Sequence, residues 1–158
     1  MLQDSEREEV LQMWSRGESL EAGARIFEHL GDTERVAWAA SLVAACLRSV
    51  RPVPEVEEIV SLASEPLNWP QANALFNRIR QLTLAWEASA KADPLYGCLL
   101  YVGECAAKVI YNASHPDSLY DADSGAWLAK NYRTLLDAVG NPELIAGSGA
   151  FVAGEFPS

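Results

Sequence analysis

The residues best equipped for chemistry lie between positions 101 and 123. Tyr101, Glu104, Lys108 and Asn112 follow one another at three- and four-residue steps, a spacing that puts them on one face of a helix. Glu104 precedes Lys108 by four residues, the favoured orientation for an ion pair, and such a pair lets an otherwise apolar helix keep two charges. In that setting Glu104 has the make-up of a general acid or base tuned by Lys108, with His115 just beyond as a second proton carrier. A solvent-facing polar strip is the competing reading of the same positions.

The segment SHPDSLYDADSG, residues 114–125, adds Asp117, Tyr120, Asp121 and Asp123 beside His115. If it folds back over the helix, these side chains and the 101–112 stripe converge on a pocket between the helix at 94–112 and the loop at 114–125. Asp121-x-Asp123 has the spacing that opens a calcium loop. The glycine, however, comes fifth rather than sixth and the twelfth position is Tyr132 rather than a glutamate, so the ligand set is incomplete. With only His29 and His115 as imidazoles and no clustered thiolates, no zinc set exists either. The expectation is no metal and no cofactor, with Asp121 and Asp123 forming a turn and capping the next helix.

Nucleophile and phosphate motifs are missing: there is no GxSxG elbow, no GxxxxGK[ST] loop and no GxGxxG after a strand, and Gly147-Ser148-Gly149 lacks the flanking elements such loops need. No residue is assigned a catalytic role. Aromatic side chains offer a different chemistry. Core packing is the default for each of the five tryptophans; Trp14 and Trp69, at helix ends beside polar residues, are the better interface candidates.

The elements that must position these residues are helices. Ser5 with Glu8 forms a capping-box pattern before Val10, Leu11, Met13 and Trp14, predicting a helix from about 6 to 16. A short second helix follows Ser19 and ends at Gly31, and a third begins at Asp32 or Thr33. Pro52 and Pro54 interrupt the chain, and Pro54 suits the first turn of a fourth helix of about ten residues. The fifth opens at Asn68-Trp69-Pro70 and holds its apolar period for five turns. The sixth, about 94–112, is apolar nearly all round and reads as the centre of a bundle. A seventh runs from about 124 to 139 and closes at Gly140. The short Ala92-Asp93-Pro94 turn makes the fifth and sixth an antiparallel hairpin. The predicted architecture is an all-α single domain of six to seven helices over 1–140, followed by a Gly-rich tail, 141–158, expected to stay loose.

Composition agrees with that class. The chain has 158 residues, 49% hydrophobic and 22% charged, enough for a core without metals or disulfides. Twelve basic against 22 acidic residues give a formal charge of -10, which repels phosphate backbones and excludes a nucleic-acid role in the absence of a basic face. It attracts basic partners instead. Cys46, Cys98 and Cys105 leave one thiol over in any disulfide scheme and show no CxxC spacing, as expected of buried thiols in a reducing compartment. MLQDSEREEV opens with acids rather than a basic n-region, and no apolar run approaches a membrane span. The expected location is the cytoplasm.

From Ser19 to Ala113 the chain, with ERVAWAASLVAACLRSV after a short helix and Ala-rich helices later, resembles small bacterial all-helical proteins of unknown function. It is also loosely similar to immunity proteins encoded beside secreted toxins. The resemblance covers some 95 residues and is carried by the alanine spacing around Trp38. It implies a helical binding protein without cofactor or catalytic residues. Together with the charge and the tryptophans it gives the expected function: a protein-binding module, an acidic adaptor or immunity-like inhibitor of a basic protein. The alternative is a small enzyme or ligand-binding protein using the 101–123 pocket.

Overall fold

The computed structural model describes residues 2–65, 68–117 and 119–154, with the side chains of 150 and 151 outside the description. Its elements are α1 (Asp4–Ser15), α2 (Ser19–His29), α3 (Asp32–Ser49), α4 (Pro54–Ala63), α5 (Trp69–Ala88), α6 (Pro94–Ser114), α7 (Ala122–Val139) and α8 (Pro142–Val152). The fold is all-α, with no strand among the described residues. Eight helices, rather than six to seven, lie among the described residues.

Local chemistry sets most of the boundaries. The α1 cap is Gln3, not Ser5: its backbone N–H donates to Glu6 Oε2 at 3.0 Å, the reciprocal half of a capping box moved two residues upstream. Gly31 N–H donates likewise to Glu34 Oε1 at 3.1 Å at the start of α3. Asn68 Oδ1 and Asp93 Oδ1 accept from the N–H groups of Gln71 and Tyr96, both at 3.3 Å, and cap α5 and α6. Asp121 Oδ1 accepts from Asp123 N–H at 3.1 Å. That cap starts α7 at Ala122, two residues earlier than the periodicity places it, and Gly140 ends it at φ 76.

Helix α6 runs through the middle of the bundle, packed by α3, α4, α5 and α7. Leu99, Leu100, Val102, Ala106, Val109 and Ile110 are fully buried on it, which is why its sequence is apolar nearly all round. The α5–α6 hairpin forms as expected, and it closes tightly. A methyl group at Gly97 would overlap the indole of Trp86, whose N–H donates to the carbonyls of Ala92 and Asp93. The connecting turn holds Ala90, Lys91 and Asp93 at φ 62, 57 and 56, each a left-handed conformation disfavoured for a residue with a side chain. On the other flank α2 lies close to α7, because a Cβ at Gly23 would come within 2.5 Å of Ala129 Cβ and Gly125 gives room to the Phe27 ring.

Residues 142–152 do not behave as a loose tail. They form α8, which packs on α1, α3 and α7. Two indoles hold it: Trp14 Nε1–H donates to Ser148 Oγ at 2.7 Å and Trp38 Nε1–H to the Val152 carbonyl at 3.3 Å. Val152 and Ala153 are buried as a result. Residues 155–158, part of the same expected tail, lie outside the described residues. No helix among the described residues is long and apolar enough to cross a membrane.

Candidate functional site

Antiparallel packing of α5 on α6 sets two polar stripes against each other. Phe76, Arg80, Thr83 and Glu87 ascend α5 at four- and three-residue steps while Lys108, Glu104 and Tyr101 descend α6 opposite them. Partners therefore form across the hairpin, not along α6. Glu104 Oε1 accepts from Arg80 Nη1 at 3.2 Å, and Thr83 Oγ1 lies 3.1 Å from Oε2. The Thr83 hydroxyl is also 3.0 Å from the Ile79 carbonyl, so its one proton is shared between two acceptors.

The expected Glu104–Lys108 pair does not form. Arg80 reaches the buried carboxylate from α5, while Lys108 Nζ lies 5.0 Å from the Tyr111 ring centre and 5.7 Å from that of Phe76. Cation–π attraction and snorkelling of the alkyl stem account for that placement. Glu104 is thus buried and Lys108 half-buried, and the strip is not solvent-facing.

The structure divides the seven expected site residues. Glu104, Lys108, Asp121 and Asp123 line one open cleft of about 300 Å³ between α5, α6 and the start of α7. The other three lie elsewhere. Tyr101 turns toward the hairpin end, where its hydroxyl donates to Glu87 Oε1 at 2.9 Å and its ring meets Trp86 edge-on. Burial, then the Glu87 carboxylate, pushes that hydroxyl's pKa above the ordinary tyrosine value. Asn112 is buried, and its Nδ2 finds no hydrogen-bond partner among the described residues. His115 ends α6 with its ring against Trp69 and Tyr111, and its Nδ1 accepts from Asp117 N–H at 3.1 Å.

The tryptophans differ in what they leave exposed. Trp14 is 3% exposed, stacked on Tyr132 beneath the Arg133 guanidinium, so it offers no surface to a partner. Trp69 is half-buried against Tyr111 and His115. Trp127, expected in the core, is 49% exposed at the edge of the cleft. The signal was present, since Asp123, Trp127, Lys130 and Thr134 share the polar face of α7 at helical spacing. Arg80 and Thr83 also escaped the sequence reading, because nothing in one helix shows which neighbour will face it.

Among the described residues the cleft therefore has two aromatic walls, Phe76 and Trp127, with Lys108, the carboxylates Asp121 and Asp123, and Glu104 already paired with Arg80. Cys105 also lines it; burial pushes its thiol up to about 11 against an ordinary 9.0, so it stays protonated and a poor nucleophile near neutrality. No group of three or more His, Cys, Asp or Glu with metal-holding geometry occurs among the described residues. No family model matches the chain, and neither a curated protein nor a solved structure matches it.

Proposed function

We propose that this chain is a protein-binding module that engages a basic partner through the α5–α6–α7 cleft. The observation that carries the reading is Trp127, half exposed on a polar helix face and set beside Asp121, Asp123 and the buried Glu104. A large rigid ring next to Asp121 and Asp123, neither of which is in an ion pair among the described residues, suits an arginine or lysine side chain, which gains cation–π contact and charge pairing together. The -10 charge adds long-range attraction for such a partner. Catalysis is the weaker reading of the same cleft. Its one buried carboxylate is engaged by Arg80 and Thr83, and His115 is packed against Trp69 rather than toward it, which removes the second proton carrier an acid–base mechanism needs.

The test is affinity capture from native cell lysate with wild type, Trp127→Ala and Asp123→Lys as parallel baits. Support is a basic protein retained by wild type, released by salt and lost with both variants. A partner indifferent to both substitutions, or none retained by wild type across low-salt conditions, contradicts the proposal.

A further inference from the structure

A second concave site lies at the opposite end of the α5–α6 hairpin. Asp93 on its rim precedes Glu104 by eleven residues, about 16 Å along α6, so the two sites are separate. It is a cavity of about 370 Å³ between the 50–55 segment, Leu82 and the first turn of α6, within the range of small-molecule sites. Its walls are apolar, with Val53, Leu82, Leu95 and Tyr96 facing the space.

One corner is preorganised, where Asp93 lines the cavity at the end of the α5–α6 turn. The turn carrying Ala90, Lys91 and Asp93 at positive φ is pinned by the Trp86 indole, which donates to two of its carbonyls. Strain of this kind persists only where the surroundings over-determine the backbone, and it clusters at binding sites.

The charges at the rim select the ligand. Arg51 is exposed and forms no hydrogen bond or ion pair among the described residues. Both carboxylates at the same rim sit at helix N-termini, whose positive ends offset their charge: Asp93 caps α6 through Tyr96 N–H, and Glu55 lies in the first turn of α4. Arg51 is the cation among the residues lining the cavity, and its planar guanidinium matches a carboxylate. Glu55 and Asp93 still stand near enough to disfavour a dianion such as phosphate. We propose that this cavity binds a small monocarboxylate with an apolar or aromatic body, the carboxylate on Arg51 and the body against Leu82, Leu95 and Tyr96.

The experiment is a nitrogen-15 amide titration of the full chain with sodium 4-phenylbutyrate, 4-phenylbutanamide and 4-phenylbutylamine. Saturable shifts confined to residues 50–55, 82 and 93–96 are expected, with the acid binding about tenfold tighter than the amide, the size of one charge-assisted contact. Arg51→Gln, at an exposed position that leaves the fold intact, should bring the acid down to the level of the amide. The proposal is overturned if the acid gives no saturable shift, binds no tighter than the amide or amine, or binds Arg51→Gln as well as wild type. None of these outcomes bears on the Trp127 cleft.

Discussion

Arg80 and Glu104 are coupled across the α5–α6 hairpin, and a double-mutant cycle measures by how much. The Glu104 side chain is 10% exposed and that of Arg80 46% exposed, with 3.2 Å between them. A charge-assisted hydrogen bond contributes about 1.5–3 kcal/mol when shielded. Solvent screening at the half-exposed guanidinium brings the expected coupling down to about 1 kcal/mol. The two single substitutions should be unequal. Glu104→Gln keeps the shape and lets Arg80 turn to water, costing about 1 kcal/mol. Arg80→Ala strands a carboxylate that has only the shared Thr83 proton, and should cost about 2 kcal/mol. Adding Glu104→Gln to Arg80→Ala should then be nearly neutral. Urea unfolding of the four proteins at pH 7, analysed at constant m, reads these differences directly. A coupling below about 0.3 kcal/mol, within ordinary additivity error, would refute the cross-helix pairing; so would an equal cost for the two single variants.

Further outcomes follow from packing and titration. Gly97→Ala and Gly125→Ala force a methyl into the Trp86 and Phe27 rings and should each lose about 1–3 kcal/mol of stability in the same urea assay. Gly147→Ala should instead gain up to about 1 kcal/mol, because it lies inside α8 and, beyond its chain neighbours and the backbone of its own helix, no atom comes within 4 Å of the new Cβ; a loss there would contradict the placement of α8. Burial raises the pKa of Cys105 to about 11 and that of Cys46 further, from an ordinary 9.0. The folded state thus holds protons that the unfolded chain releases above pH 9, so this stability is present below pH 9 and lost as pH rises toward 11. At pH 10 each thiol should cost about 1.4 kcal/mol relative to neutral pH, and Cys105→Ala should flatten the alkaline decline measured by urea unfolding.

Much of this organisation was legible in the sequence because it is written in local chemistry. Pro54, Asn68, Asp93 and Gly140 each act on their own helix end, and the structure uses each there. The all-round apolarity of 94–112 announced a central helix. Three features depended on other segments and were not legible. Helix α8 carries Gly147 and Gly149, which read as a loose tail, but the indoles of Trp14 and Trp38, more than a hundred residues away, hold it in place. The partner of Glu104 was expected four residues along its own helix, yet register between helices brought Arg80 instead. Helical spacing linked Tyr101 to the site, but Glu87 and Trp86 draw it toward the turn.

The central claim, that Trp127 is the contact point for a basic partner, is tested most directly by the indole N–H signals of the five tryptophans. The indole N–H groups of Trp14, Trp38 and Trp86 donate to Ser148, to Val152 and to the α5–α6 turn, whereas Trp127 is 49% exposed. Trp127→Phe assigns its resonance by loss of one signal. Adding the captured partner to nitrogen-15-labelled protein should shift or broaden the Trp127 signal most and leave those of Trp14, Trp38 and Trp86 in place. A complex that forms with the Trp127 signal unmoved would contradict the account.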